Sequence, residues 1–536
     1  MGNLAWLADK LSGRRIERAT ARYLESLAHE PVRISRRTAS EFLRALRNEP
    51  GPQVTLGETE WGEPVVVPLA ELIKAGVMTG GMGSGKTMAA CLILEAIIGR
   101  LPQLSSMAFG VLDAKGELFD RALFLLARRL DELEGEAKEE LLNRMAVIDF
   151  SGRAVSPYNI LSRWPYTEPD FFVTSRLETL RELLPSGDKL SLRGGVVLKN
   201  VLALLSEFGL PLTYLTRVLE GEAFRSRLLA KSKNPEVKLY FAHHFAQEGK
   251  QTIAALRARM DSLFASEGVR LALAGTTAPD FRRLQNEGKI VLINCAGASI
   301  TRGVRLLLQG LVLSDIRQAI FARPNNPPVT YWFVADEGQN LFRTKQQQED
   351  VTDICTMGRS FGTFFCFLCQ SLTTAVPDAR ILETLYTNIR WSLTLRGTPR
   401  DAQFLRGALP LTGRRPRPDP HPYREHTFYS PEEERALALE GVAHLPDRTG
   451  YLWLKTRSPE AVKITTRALA LPEGEGFREK LEMLREEPRL GGRLSRTEYE
   501  RLIDERDREW RDTDEDSNLA DRMEEKYQGE RAAWQA

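Results

Sequence analysis

Residues 77–90 read VMTGGMGSGKTMAA, and their reading decides the fold. Gly80, four residues, then Gly85, Lys86 and Thr87 give the spacing G-x-x-x-x-G-K-T, with Gly81 and Gly83 inside it. Glycines free a backbone to turn successive N–H groups inward, where they meet anionic oxygens. The pattern is that of a phosphate-holding loop. Lys86 would bridge the β- and γ-phosphates, the Thr87 hydroxyl would hold Mg2+ against them, and the helix beginning here adds its positive end. The expected nucleotide contacts are Gly80, Gly81, Met82, Gly83, Ser84, Gly85, Lys86, Thr87 and Met88, with ATP or GTP and Mg2+ as ligands. Immediately outward, the apolar residues 65–67 and 75–78 supply the strand side of the motif, and AACLILEAII at 89–98 the buried helix after it.

The chain of 536 residues exceeds one ordinary core, which predicts a large nucleotide-binding domain, a smaller second domain and tails. At 42% hydrophobic and 27% charged it has a soluble globular composition, and no apolar run reaches membrane-spanning length. The N-terminus lacks the apolar core of a secretory signal, so the expected location is the cytoplasm. Five cysteines fit a reducing compartment rather than a disulfide framework. Cys366 and Cys369 fall in FFCFLCQ, a buried-strand pattern on which residues three apart face opposite ways, so they read as structural. Net charge is only +2, yet residues 473–536 hold 20 acidic and 13 basic side chains, a net of −7 that leaves +9 on the rest. A basic body with an acidic tail suits both nucleic-acid contact and a solvated tail.

Taken in order, residues 1–55 are predicted as a basic helical arm, with Arg14, Arg15, Arg18 and Arg22 among spaced apolar positions. A solvated helix face is the plainer reading of it, and a nucleic-acid or lipid-headgroup surface the alternative. Residues 56–168 carry the loop, a strand MAFGVL ending in DAKGEL at 113–118, one charged helix over 120–143 and a strand MAVIDF. From 169 to 275 the strand signal disappears. Four amphipathic helices are predicted there, at 173–184, 196–208, 213–220 and 252–264, as an inserted all-helical domain. The sheet resumes over 276–472, and residues 473–536 are predicted as a charged tail of helix and coil with little core. Strands alternating with helices mean an α/β protein with a mainly parallel sheet.

The second anchor is VTYWFVA at 329–335, running straight into Asp336-Glu337. An enzyme with such a glycine loop needs a carboxylate at the end of a neighbouring strand to organise Mg2+, and Asp336 fits; Glu337 can polarise the attacking water. Downstream, GRSFG at 358–362 leads into a strand that ends at Gln370, a polar residue suited to sensing the γ-phosphate. Arg359 reads either as a structural anchor or as a finger acting across a subunit boundary.

The order GGMGSGKT, VLDAKGEL, SPYNIL, a helical insertion, WFVADEGQNL and GRSFGTFFCFLCQS resembles the cytoplasmic ATPase of type IV secretion coupling proteins, the TraG/TraD class of the HerA/FtsK superfamily. The resemblance covers roughly residues 60–470. It implies a RecA-like motor domain carrying an all-helical insertion, in a hexameric ring that translocates DNA. On the matching positions it makes Lys86 and Thr87 the phosphate and Mg2+ residues, Asp336 the metal carboxylate, Glu337 the catalytic one, Gln370 the sensor and Arg359 the finger in trans. Asp113 and Lys115 match the D-x-K-G-E-L loop, with no role beyond lining the site. Members of the class usually begin with transmembrane helices, and residues 1–60 here are charged. Either the chain is a soluble member that docks on a membrane partner at the inner membrane face, or it is a free DNA-translocating ATPase of a mobile-element or defence system; the expected partners are DNA without sequence preference, further copies of the chain, and a secretion-channel, relaxase or membrane-anchor protein. A different class also fits: an adaptor ring in which ATP switches assembly and the helical domain recruits protein substrates. A metabolic kinase lacks a recognisable small-substrate pocket.

Overall fold

The structure, a computed structural model, describes residues 36–151, 154–183, 190–411, 417, 428–469, 475–487, 490 and 494–512. Most of the Arg-rich arm, the Pro/Arg-rich loop at 414–421 other than Arg417, and the acidic end after 512 lie outside those residues. The strands in chain order are β1 (Gln53–Thr59), β2 (Pro64–Pro68), β3 (Gly76–Thr79), β4 (Met107–Asp113), β5 (Met145–Asp149), β6 (Ile290–Asn294), β7 (Thr330–Ala335), β8 (Thr363–Cys369), β9 (Trp391–Leu395), β10 (Thr449–Leu454) and β11 (Val462–Thr466). The chain forms two compact units. Of the described residues, one unit holds those up to 96, with 370–373 and 389–469; the other holds those in 97–369, 374–388 and from 475 onward.

In the first unit the strand order is β2-β1-β11-β10-β9-β3. Only β3 and β9 run parallel; the other neighbours are antiparallel. The apolar run 65–67, expected on the strand side of the glycine loop, instead forms a hairpin with β1. β2 is bounded by Pro64 and Pro68, residues that suit the edge of a sheet and not a central strand. The strand that feeds the loop is the four-residue β3, buried along its whole length. Gly76 opens it because a Cβ there would lie 2.3 Å from the Trp391 ring of β9. After the loop comes the helix Lys86–Ile98, whose Ala89, Ala90, Cys91, Leu92, Ile93 and Leu94 are fully buried.

The second unit contains the order β8-β7-β4-β6-β5, with every pairing parallel. All residues of β4, β5 and β6 are buried, as parallel strands covered on both faces require. The fold is therefore α/β, with a mainly parallel sheet and a glycine loop between a strand and a helix. Where one helix was expected over 120–143 there are two, Glu117–Glu132 and Gly135–Arg144. Leu133 is extended and Gly135 sits at φ 55, so the chain turns between them. On one face of the sheet, Tyr331, Phe333, Phe365 and Phe367 stack in series at centroid distances of 4.8, 5.0 and 5.6 Å. Gly110 of β4 makes room for them, since a Cβ there would approach the Phe333 ring to 2.2 Å. Replacing fully buried Phe333 by Ala is expected to destabilise the protein by about 3–5 kcal/mol, read as a lower urea midpoint at an unchanged slope.

The helical segment has more elements than its sequence pattern suggests: Pro169–Leu183, Leu192–Glu207, Leu215–Glu220, Glu222–Lys231, Pro235–His243, Lys250–Leu263 and Glu267–Leu273. The Glu222 and Pro235 helices escape a search for apolar stripes because each buries few side chains, Phe224 and Leu228 in one, Val237, Tyr240 and Phe241 in the other. Asn234, capping the Glu236 and Val237 N–H groups, was the legible start signal. Arg176, 1% exposed, ties this segment to the helix Arg302–Phe321 by pairing with Asp315 and donating to Leu311 O at 3.4 Å. The charged region after 473, expected as a tail with little core, contributes two docked helices. Glu475–Glu486 packs on Glu117–Glu132 through the Lys480–Asp131 and Arg485–Asp120 pairs. Arg496–Asp512 buries Tyr499, Arg506 and Trp510, with Arg506 donating to Ala274 O and the Trp510 ring edge-on to Phe224. Cys366 and Cys369 are both buried in β8, and burial pushes the Cys366 thiol well up. No helix among the described residues is long and apolar enough to cross a membrane.

Candidate functional site

In the first unit the loop between Thr79 and Lys86 is held at two points by main-chain bonds. The Gly81 N–H donates to Arg396 O at 2.7 Å, and the Arg448 N–H donates to Ser84 O at 2.9 Å. The ends of β9 and β10 thus fix the loop's shape before any ligand arrives. Gly83 and Gly85 take φ of 72 and 102, backbone that L side chains rarely adopt, and a Cβ on Gly85 would come within 2.9 Å of Arg448 Cγ. Arg448 itself has φ 63, a strained conformation for a residue with a side chain. Its neighbour Asp447 pairs with Arg396 at 2.7 Å, which ties the two clamping segments together. Lys86 Nζ donates to Gly80 O at 2.6 Å and to Gly81 O at 3.0 Å, so the ammonium lies over the loop. Met82 is 79% exposed at its tip, Ser84 is buried, and Thr87 is half-buried at the start of the helix. Met88 Sδ accepts from the Leu469 N–H at 3.3 Å. Glycines in left-handed conformations at the start of a 13-residue helix form a cradle for anionic oxygens.

The second unit gathers carboxylates where β4 and β7 end. These strands are neighbours in register, and the Asp336 N–H donates to Leu112 O at 2.9 Å. Asp113 is fully buried and works as a cap. One of its oxygens accepts from the Lys115 N–H at 2.7 Å and the other from the Phe119 N–H at 2.9 Å, fixing the turn into the helix Glu117–Glu132. Gly116, at φ 87, completes that turn. Burial raises the Asp113 pKa against the pull of those backbone N–H groups. Asp336 is 3% exposed and accepts from the Glu337 N–H at 2.9 Å. Burial first, then the Asp113 charge, pushes its pKa up to about 7.

Two acids in low dielectric favour a cation nearby. No group of three or more His, Cys, Asp or Glu side chains among the described residues could hold a metal alone. Mg2+ is commonly held by one or two carboxylates together with waters and substrate phosphates, and this donor set fits that ion.

Glu337 follows at φ 51, the left-handed region, at the start of the turn Gly338–Phe342. One of its oxygens meets the Lys115 ammonium and the other the Gln339 amide. Its side chain is 12% exposed and that of Lys115 43% exposed. Burial lowers the Lys115 pKa, but the hydrogen bond and charge of Glu337, with Asp336 and Glu117, outweigh it and the net shift is upward.

Arg359 lies in the turn Gly358–Phe361 before β8. It is exposed, without an ion-pair partner among the described residues. Because β7 and β8 are parallel, Arg359 stands at the opposite end of the strands from Asp336, about 15–20 Å away by strand rise. Gln370 directly follows the end of β8 and is exposed. Lys115, Asp336, Glu337 and Gln339 therefore come together in one unit, and the loop residues 80–88 with Arg396 and Arg448 in the other. Sequence reading missed Gln339, Arg396 and Arg448. A Gln two positions after the acidic pair was visible; nothing in the sequence marks a left-handed arginine.

No protein-family profile matches this chain, and no curated protein matches it. Among solved structures it is similar to the bacterial conjugative coupling protein TrwBdeltaN70, at 14% identity over 81% of this chain and 93% of that one, with a TM-score of 0.48. It is also similar to the plasmid coupling protein TrwB in complex with ADP and Mg2+, at 14% identity over 81% of this chain and 94% of that one, TM-score 0.47. VirB4 of Thermoanaerobacter pseudethanolicus is similar at 14% identity over 78% of this chain and 98% of that one, TM-score 0.48.

Proposed function

We propose that the chain is a magnesium-dependent ATPase that drives DNA translocation, of the type IV secretion coupling kind its motifs resemble. The observation that carries the reading is Asp336-Glu337 at the carboxyl end of a parallel strand, in a chain that also builds a complete phosphate loop. The main chain from Gly80 to Met88 would hold the phosphates, with Lys86 neutralising charge on the β- and γ-phosphates. Thr87 and Asp336 would hold Mg2+, which supplies Lewis-acid charge when bound. Glu337 polarises the attacking water, Gln370 senses the γ-phosphate, and Arg359 serves the site of a neighbouring copy in a hexameric ring. A motor must accept any passing sequence, so DNA is gripped through its phosphates. A secretion-channel, relaxase or membrane-anchor partner at the inner membrane face completes the proposal.

The test is the ATP hydrolysis rate with and without single- and double-stranded DNA over a series of salt concentrations. DNA should stimulate turnover, and stimulation should fall steeply as salt rises, because phosphate contacts release counterions. A rate indifferent to DNA at every salt would sink the motor and favour an adaptor ring that uses ATP to assemble.

A further inference from the structure

The D-A-K-G-E-L turn has so far no task beyond lining the site, yet it is braced from within. Asp113 accepts from two main-chain N–H groups, at Lys115 and Phe119, and Gly116 supplies the left-handed residue between them. This bracing holds Lys115 facing Glu337. On the other side, Glu337 is presented by a residue conformation that is itself unfavourable, at φ 51, and its second oxygen is engaged by the Gln339 amide. Both oxygens of the carboxylate are thus occupied by protein donors. A general base must offer an oxygen to the water it activates, and an ammonium on that oxygen competes directly with the water.

We infer that Lys115 is a positioning residue that withholds Glu337: the ion pair must open before the carboxylate can act as a base, so Lys115 sets the resting rate of hydrolysis. This rests on the ATPase reading above. The asymmetry of exposure fits a latch that opens on one side only. Glu337, 12% exposed, stays where the strand end puts it, while Lys115, 43% exposed, has open solvent to move into. The Lys115 end of the pair is open to solvent and screened, so the latch restrains the base without abolishing turnover.

Lys115→Met keeps the aliphatic stem and removes the charge. It is expected to raise the DNA-free kcat about 1.4- to fivefold, the factor by which a solvent-screened pair changes a population, with KM for ATP little changed. Lys115→Arg, which restores a cation, should return the rate to that of the wild type. In a Glu337→Gln background the gain from Lys115→Met should vanish, because there is no base left to release. Thermal unfolding of each variant separates a folding defect from a change in rate, and a Lys115→Met protein that fails to fold is replaced by Lys115→Gln in the same assay. An unchanged or lower kcat in the folded variant, or a rise in KM that marks Lys115 as a phosphate ligand, overturns the latch while leaving the ATPase reading intact. Wild type that neither binds nor hydrolyses ATP overturns both.

Discussion

Glu337→Gln is expected to slow ATP turnover by about 10²–10⁴-fold while leaving nucleotide affinity within about a factor of three, since a positioned general base contributes on that scale to the transition state and little to binding. The substitution is nearly isosteric, so the turn Gly338–Phe342 and the backbone at φ 51 keep their shape. What changes is the ability to accept a proton. The amide also loses the ion pair with Lys115, so the defect cannot come from a tighter latch. Steady-state phosphate release and titration with a fluorescent ATP analogue measure the two quantities separately. Asp336→Asn provides the contrast: it should weaken binding of the Mg2+ complex itself, because Asp336 is the buried acid whose burial calls for a cation. Turnover of Glu337→Gln within a factor of about ten of wild type would remove Glu337 as the base.

The parts of the fold legible in the sequence are those in which one periodicity dominates. β4, β5, β6 and β7 are apolar at nearly every position, as doubly covered strands must be, and each ends at a polar turn. The helix Lys86–Ile98 is apolar all round for the same reason. Legibility fails where a segment is half-buried or where burial is shared between distant residues. The run at 65–67 is as apolar as a central strand, yet it pairs with β1 in a hairpin, because pairing depends on residues outside the local window. Trp510 and Arg506 sit among charges and become buried only because Phe224, Tyr214 and Ala274 wait for them more than two hundred residues earlier in the chain. The positions of Asp336 and Glu337 at a strand end were legible, because an apolar run stops there. That Lys115 lies against Glu337 was not, because the contact joins two turns that neighbouring parallel strands bring side by side.

The second large effect tests assembly. Arg359→Ala is expected to lower turnover by about 10³–10⁵-fold, the scale on which an arginine that neutralises transition-state charge acts. The position of this residue makes the result informative. It lies at the amino end of β8, which runs parallel to β7, while Asp336 and Glu337 lie at the carboxyl end of β7. Its turn is fixed there, with Ser360 O accepting from the Asn326 N–H at 2.9 Å and Phe361 edge-on to Phe321 at 5.4 Å. Across about 15–20 Å of strand it cannot serve the carboxylates of its own chain, so an effect on chemistry requires another copy. Lys86→Ala, which removes the phosphate lysine, should be inactive on its own. In a ring with head-to-tail interfaces, equal mixing of the two inactive proteins places an intact Lys86 beside an intact Arg359 at about a quarter of the interfaces, so a corresponding part of the activity should return. Each protein is also measured alone at the same total concentration. If Arg359 is only an anchor for its turn, Arg359→Ala keeps most of its turnover; if the sites are not shared, the mixture is no more active than its components, and either result removes the finger in trans.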